Sequence, residues 1–315
     1  MNKNFVMLCA VTSCLCQVSV DALAGEGGTS HVIPGATATF TDLPGTSPAN
    51  FIKPMYLNYG AGASAAIPTA AGITTDIDVT ANTFALAIGR TFENTFWGGA
   101  HYTAAIAIPY TSLDISGNAR LPGGGSRSIK NSVSGLGDIT LLPVMLAWKK
   151  EAWQFNAMLP VYTPTGSYED GRLGNPGLNY WTIDPTFGFL YSSKKGFNAM
   201  LHMGYAMNSE NNATDYQSGS MIHFEGALQQ IIPAGKGMMT IGLEGFYFDQ
   251  LTCDSGAGAV LGCFKGMTAG LGPELGYIKP LGKETLILEL KWLTELDTKN
   301  RVEGDYLWFK AIYKF

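Results

Sequence analysis

Charged residues, cysteines and long apolar runs are all scarce in this chain of 315 residues. Only 14% of the residues are charged, and the formal net charge is -5. The chain has no Lys/Arg-rich block, which argues against nucleic acid as a partner. No run reaches the roughly 18 apolar residues that a spanning helix needs. Glycine, at 39 positions, and aromatic residues, at 11%, are plentiful. This composition without a membrane helix favours β-structure.

The first 24 residues have the organisation of an export signal. Lys3 supplies positive charge, residues 5–20 are largely apolar, and a small-x-small sequence at 22–24 precedes Gly25. A competing interpretation takes residues 11–14 as a lipoprotein signal, which would leave Cys14 lipidated. We predict a signal peptide over residues 1–24 and a mature chain that begins at Gly25.

Cleavage at that position leaves two cysteines, Cys253 and Cys263, in the exported protein. Two cysteines separated by a Gly/Ala-rich sequence predict a disulfide that closes one loop. A zinc site would require further Cys or His residues at short spacing. We therefore predict a disulfide, and neither a metal nor a cofactor.

Residues 283–315 contain two strongly amphipathic stretches with a period of two, which predicts β-strands. Their apolar parity comprises Leu286, Leu288, Leu290, Trp292, Leu296, Leu307, Phe309, Ala311, Tyr313 and Phe315; the other parity includes Glu289, Lys291, Glu295, Asp297, Trp308, Lys310 and Lys314. An apolar face requires lipid or a packed core, and a charged face must stay hydrated or paired. A barrel with lipid outside and a polar lumen inside satisfies both requirements.

From Lys53 onward, alternating stretches of about ten residues follow one another, which is the length of a tilted barrel-spanning strand. We count about twelve; they begin near Pro54, Ile77, Gly99, Gly137, Ala152, Asn179, Gly196, Ser220, Gly237, Gly266, Lys283 and Gly304. Short turns alternate with long loops, which we place at 112–133, 165–178, 209–218 and 252–265. This asymmetry is typical of outer-membrane barrels, with short turns in the periplasm and long loops outside the cell.

One stretch, 77–90, fits this pattern poorly, because Asp78, Thr80 and Asn82 share parity with Phe84, Leu86 and Ile88. Its faces cannot be assigned from the sequence. A soluble β-sandwich also alternates, but its strands average about five or six residues and need no such uniform apolar face. We predict an all-β fold: a transmembrane antiparallel up-and-down barrel over residues 51–315, after an N-terminal extension at 25–50.

The residues that carry charge on the inward parity are the candidates for contact with a solute. They are Asp138, Asp184, His202, His223, Glu225, Glu244, Glu274, Glu289 and Lys291, with Glu295 and Lys310 as further members. A simpler interpretation is that most of them pair with one another and with water to fill a narrow lumen. The chain has no Gly-x-Ser-x-Gly sequence, and no subset has the spacing of a catalytic triad. We predict that the protein is not an enzyme.

Several short motifs spread over the mature chain are similar to those of one family. They are Gly27 to Gly35, Gly135-Leu136-Gly137-Asp138 with Pro143, Pro164-Thr165-Gly166-Ser167-Tyr168, Asn175 with Asn179-Tyr180-Trp181 and Pro185, His223 with Glu225-Gly226, and Gly272-Pro273-Glu274. The chain resembles the transporter family named for the meta-pathway of phenol degradation. The resemblance implies an outer-membrane barrel that passes hydrophobic or aromatic compounds, similar in idea to the long-chain fatty acid channels.

These motifs also have structural interpretations. Gly135 and Gly137 would relieve crowding beside a long loop, and Asn175 and Asn179 would brace that loop through backbone hydrogen bonds. Pro143 and Pro185 remove ladder donors and predict bulges or kinks.

The function predicted from the sequence is passive uptake of a small apolar solute through the bacterial outer membrane, with lipid and lipopolysaccharide around the barrel. The alternative is a structural or binding surface protein whose barrel only anchors its loops. Residues 25–50 lack alternation but are more apolar than a free tail, so we hypothesise that they plug the periplasmic end of the lumen. The sequence does not indicate the solute, the direction of transport or the oligomeric state.

Overall fold

The structure is a computed structural model that describes residues 25–39, 41–63, 67–69, 72–120, 126–260 and 262–315. The predicted signal peptide and Cys14 lie outside the described residues. After a 3-10 turn at Glu26–Gly28, the described chain forms strands only. These are β1 (Ala49–Ala63), β2 (Ile67–Thr69), β3 (Gly72–Phe96), β4 (Ala100–Arg120), β5 (Ser126–Leu136), β6 (Thr140–Lys150), β7 (Trp153–Tyr162), β8 (Thr182–Ile183), β9 (Thr186–Ser192), β10 (Phe197–Asn208), β11 (Met221–Ala234), β12 (Gly237–Gln250), β13 (Met267–Leu281), β14 (Glu284–Lys299) and β15 (Glu303–Lys314).

These strands close into a barrel with twelve antiparallel wall strands, which confirms the predicted fold. β5 and β6 are successive parts of one wall strand, since both pair with β4, and β8 and β9 form another. The short β2 pairs with β3. Closure occurs at β1, where Leu57 lies opposite Thr83 of β3 on one side and Trp308 of β15 on the other.

The connections at the two rims differ in length, as the sequence predicted. At one rim, turns of two to four residues join β3 to β4, β6 to β7, β9 to β10, β11 to β12 and β13 to β14. At the opposite rim, long loops occupy 163–181, 209–220 and 251–266. We take the rim with short turns as periplasmic and the rim with long loops as extracellular.

The prediction of a long loop at 112–133 was wrong. Instead, β4 continues to Arg120 and β5 begins at Ser126, and the two strands form a regular ladder in which Gly117 lies opposite Ile129. The outer face of this hairpin is not uniformly apolar, because beyond the bilayer both faces of a strand contact water. The weak alternation of residues 112–133 therefore reflects a strand hairpin outside the bilayer, and not a loop.

The same extension explains the ambiguous faces of β3, which is 25 residues long. Phe84 and Ile88 are exposed on its outer face, as is Asp78 nearer the extracellular end. One face of a single strand therefore passes from lipid to water, so its polar and apolar residues share parity.

Outer and inner faces are otherwise sharply different. On β14, Leu290 is 46% and Trp292 55% exposed, whereas Lys291 between them is fully buried. Trp97 and Trp153 are exposed at the periplasmic rim, where aromatic residues flank the apolar band of such barrels.

Both predicted proline irregularities are present in the wall. The register of β6 against β7 shifts between Leu141 and Val144, beside Pro143. Asp184 and Pro185 interrupt the strand formed by β8 and β9. The two interruptions lie on the neighbours of β7, so this part of the wall has an incomplete hydrogen-bond ladder.

The largest buried apolar cluster lies inside the barrel. Val32, from the chain before β1, packs with inner-wall residues that include Leu57, Phe248, Leu293 and Trp308. In the loop after β12, Cys253 and Cys263 form the predicted disulfide.

Candidate functional site

The described residues of 25–48, which we call the N-terminal segment, lie in the barrel lumen. Near the extracellular rim, the Glu26 N–H donates to Ser218 Oγ (3.1 Å), and the Glu26 carboxylate accepts from Asn211 Nδ2 (2.8 Å). Near the periplasmic rim, the Pro44 carbonyl accepts from Gln154 Nε2 (3.1 Å), at the start of β7. The segment therefore runs along the lumen from one rim to the other.

A cluster of buried charges holds the middle of the segment. Asp42 Oδ2 lies 2.8 Å from Lys310 Nζ and 3.2 Å from Lys291 Nζ, and Asp42 also pairs with Lys53. Glu289 Oε1 lies 3.2 Å from Lys291 Nζ and 3.6 Å from Lys310 Nζ. Removing one member of such a cluster leaves uncompensated buried charge, so Asp42 binds the segment strongly to the wall.

Gly35 contributes its backbone to the same cluster. Its carbonyl accepts from Lys310 Nζ (2.7 Å) and Lys291 Nζ (3.0 Å), and its N–H donates to Glu225 Oε2 (2.9 Å). Gly35 has φ +85°, and a Cβ atom there would lie 2.6 Å from Trp308 Nε1. Glycine is therefore required both by the backbone conformation and by the available space.

Asp138 connects the segment with the β7–β8 loop nearer the extracellular rim. Its carboxylate accepts from the backbone N–H of Leu178 (2.6 Å) and Gly166 (2.7 Å). His31 Nε2 lies 2.9 Å from Asp138 Oδ2, and His31 Nδ1 lies 2.7 Å from Thr182 Oγ1. This predicted lumen carboxylate thus joins the segment, the loop and the wall.

Asp184, His202 and His223 lie on the inner wall formed by the strands from β8 to β11. His223 Nε2 lies 2.9 Å from Asp184 Oδ1, and the His223 ring stacks on Phe248 at 5.2 Å. His202 is fully buried, and neither of its ring nitrogens has a hydrogen-bond partner among the described residues. A Cβ atom at Gly188 would lie 2.4 Å from His202 Nε2, so a glycine provides the space for this ring.

Two further carboxylates border the charge cluster. Glu244 Oε2 lies 2.8 Å from Lys291 Nζ. Glu274 lies opposite Lys291 in the β13–β14 ladder and is 4% exposed, but it forms no ion pair with any side chain that the structure describes. The inner wall therefore carries more buried carboxylates than ammonium groups in this region.

All nine candidate residues are at most 6% exposed. Around the middle of the segment lie Glu225, Glu244, Glu289 and Lys291, whereas Asp138 lies apart at the β7–β8 loop. Contact of the nine candidate residues with a solute stays a prediction. Sequence reasoning missed Asp42 and gave His31 no partner, because both lie where no strand period assigns a face. The sequence did contain one indication that His31 has a role, namely its place in the Gly27–Gly35 motif.

The inner faces of β3 and β4 carry small, uncharged residues instead. Their outer parity is marked by the exposed Phe84, Ile88, Ile106 and Ile108. The opposite, inner parity comprises Thr83, Ala85, Ala87 and Gly89 on β3 and Thr103, Ala105, Ala107 and Pro109 on β4. Ala85, Ala105 and Ala107 are half-buried. The lumen wall thus has a charged sector, β10 to β15, and a small uncharged sector, β3 and β4.

No helix in the part of the chain that the structure describes is long and apolar enough to cross a membrane. Among the same residues, no three or more His, Cys, Asp or Glu side chains are grouped so that they could hold a metal ion.

Solved structures align with most of this chain. An outer membrane channel from Pseudomonas putida F1 aligns with a TM-score of 0.64 and 17% identity, over 90% of this chain and 100% of that one. The β domain of the Bordetella autotransporter BrkA aligns with a TM-score of 0.47 and 14% identity, over 85% and 99%. A Pseudomonas aeruginosa FadL homologue aligns with a TM-score of 0.36 and 8% identity, over 85% and 89%.

No curated protein matches the chain. Residues 58–311 match the family described as "Putative MetA-pathway of phenol degradation". That match covers most of the barrel and well over half of the chain. The chain is therefore an outer-membrane β-barrel that belongs to the family of the putative MetA-pathway of phenol degradation.

Proposed function

We propose that the protein is a passive channel that admits small hydrophobic or aromatic compounds. Family membership supports this proposal, as does the likeness to a Pseudomonas putida outer membrane channel. The observation that carries it is the division of the lumen wall. The middle of the N-terminal segment is bound to the charged sector, and its periplasmic end approaches β3 at Thr91. The half-buried Ala85, Ala105 and Ala107 offer an uncharged surface beside it. An apolar solute that contacts such a surface does not displace water from charged groups of the wall.

The solute enters among the long loops, follows the inner faces of β3 and β4, and meets the N-terminal segment. It leaves either when the segment is displaced or through a lateral opening in the wall. The irregularities at Pro143 and Pro185 support the lateral exit, because the wall on both sides of β7 has fewer inter-strand hydrogen bonds there.

Reconstitution in lipid vesicles tests the function. We expect faster entry of aromatic and short aliphatic solutes than of sugars of similar size, compared with vesicles that lack the protein. Equal entry of all solutes with and without the protein would overturn the channel and favour the alternative, a barrel that only anchors its surface loops.

A disulfide lock distinguishes the two exits. A Cβ atom at Gly45 would lie 3.4 Å from Thr91 Cβ, close to the separation in a disulfide. The double variant Gly45→Cys/Thr91→Cys would fix the periplasmic end of the segment to β3. Loss of uptake that is restored by reduction indicates exit by displacement, and unchanged uptake indicates the lateral exit. Each single variant and the wild type, reduced in the same way, are the controls.

A further inference from the structure

A carboxylate at the extracellular rim receives the start of the N-terminal segment. Asp254 Oδ2 accepts from the Gly25 backbone nitrogen (3.0 Å), and Oδ1 accepts from the Gly219 N–H and Gln250 Nε2, both at 2.7 Å. The Tyr216 hydroxyl also donates to Oδ2. Burial, together with the Asp254 charge, raises the pKa of Tyr216, so its phenol stays protonated as a donor.

These donors leave the negative charge of Asp254 without a side-chain counterion. Among the described residues, no Lys, Arg or His side chain forms an ion pair with Asp254. The neighbouring Glu26 carboxylate accepts from Asn211 and Thr214, which are also neutral. Two carboxylates at a partly buried position are costly unless a cation accompanies them.

The atom that lies against Asp254 belongs to the residue after the predicted cleavage site. Hydrolysis of the Ala24–Gly25 peptide bond by signal peptidase consumes one water, leaves a carboxylate on Ala24 and frees the Gly25 nitrogen as an amine. At neutral pH a free α-amino group takes up a proton and becomes an ammonium group, which is a cation with three N–H donors. We propose that Asp254 is the binding site for the α-ammonium group that signal-peptide cleavage creates at Gly25.

The surroundings of Gly25 suit this role. Gly25 is buried, and a Cβ atom there would lie 3.2 Å from the Thr29 carbonyl oxygen, so glycine is favoured at the new terminus. Asp254 directly follows Cys253, whose disulfide to Cys263 constrains the loop that presents the carboxylate. The cleaved segment is thus held at both rims, by the peptide chain into β1 and by this ion pair, whereas the uncleaved precursor has no charge to place there.

Selective acylation of the amine tests the proposal on the purified mature protein in detergent. Intact mass should first show a chain that begins at Gly25. Under limiting N-hydroxysuccinimidyl acetate, the Gly25 amine should react slowly, and the variant Asp254→Asn should raise its rate roughly tenfold, as expected for loss of a charged hydrogen bond. The control Asp215→Asn changes an exposed carboxylate on a neighbouring loop and should leave the rate unchanged. Equal rates in the wild type and Asp254→Asn would overturn the proposal, as would a mature chain that starts elsewhere.

A second variant separates the charge from the backbone hydrogen bond. Insertion of Gly-Ser between Ala24 and Gly25 retains an N–H at Gly25 but moves the ammonium group up to about 7 Å away. We expect this insertion to lower the thermal midpoint, and Asp254→Asn to lower it further because it also weakens the bonds from Gly219, Gln250 and Tyr216. Combining the two should cause no loss beyond that of Asp254→Asn alone. Additive losses, or an insertion variant as stable as the wild type, would contradict the ion pair.

Discussion

Asp42 shows how a single side chain can fix a segment that has no secondary structure. It contacts three ammonium groups, those of Lys53, Lys291 and Lys310. The sequence predicted that Lys291 and Glu289 share a strand face, because a period of two assigns faces without knowledge of the partner. It did not predict Asp42, because the partner of a residue outside the strands depends on where the chain folds. Parity thus predicts which residues point inward, but not what they contact.

The variant Asp42→Asn should weaken binding of the N-terminal segment by about 3–5 kcal/mol, because two buried cations and the partly buried Lys53 lose a common anion. The measurement is the urea midpoint at which the N-terminal segment becomes accessible to limited proteolysis. Asp170→Asn, which alters an exposed loop carboxylate, is the matched control. Equal midpoints for the two variants would contradict the charge cluster.

A second prediction concerns the lipid-facing residues and depends on their depth in the bilayer. Leu288→Arg should destabilise the barrel by about 2–4 kcal/mol, since an arginine would lie near the middle of the bilayer. Leu296→Arg, on the same face but nearer the extracellular end, should cost only about 0–1 kcal/mol. Folding titrations in lipid vesicles measure both values. A larger cost at Leu296 would show that the barrel is placed wrongly in the membrane.

Strands were predictable from the sequence where lipid requires an apolar outer face, as in β14 and β15. They were not predictable where the same strands leave the bilayer, and the hairpin of β4 and β5 was therefore mistaken for a loop. The β7–β8 loop has the opposite character, because it has no ladder yet is fixed by backbone contacts. Gly166 and Gly177 approach so closely that a Cβ atom on either would lie 2.7 Å from the Cα atom of the other. Asn175 braces this loop as predicted, accepting from the Glu169 N–H at 3.0 Å, whereas Asn179 Nδ2 donates to the Asn211 side chain (2.7 Å) and not to the backbone.

The variant Gly166→Ala should therefore destabilise the loop by about 1–3 kcal/mol, since its new methyl group meets backbone atoms that cannot move aside. The loop should also lose its contact with Asp138, which limited proteolysis at Arg172 would detect as faster cleavage. Gly60→Ala is the control, because a Cβ atom at Gly60 has open space around it. Slow cleavage at Arg172 in both variants would show that the close approach of Gly166 and Gly177 does not hold the loop in place.

The whole molecule is a closed barrel wall that surrounds the N-terminal segment of the same chain. The wall does not depend on the segment for its hydrogen bonds, because β1 pairs with both β3 and β15. The segment does depend on the wall, since the described residues of 25–48 form no strand of their own. Removal of the segment should therefore leave a folded barrel with a wider and more hydrated lumen.

Deletion of residues 29–46 tests this dependence. We expect a barrel that still shows heat-modifiable mobility and a several-fold rise in single-channel conductance, since the lumen loses its contents. A variant with Thr29→Ala alone is the control for the site of deletion. Unchanged conductance and unchanged solute uptake in the deletion variant would eliminate the segment as a plug.

The path of the segment also constrains the order in which the protein is assembled. The segment leaves the periplasmic end of β1 and extends to the opposite rim, while β1 itself pairs with β15, which follows β1 to β14 in the chain. Once that seam has formed, the enclosed chain can reach its place only by threading lengthwise through a narrow pore. Wrapping the wall around a chain that is already in position avoids this step. Slow cleavage of the signal peptide that the sequence predicts at residues 1–24 would then delay closure of the seam, so we expect secretion and membrane insertion to be kinetically coupled.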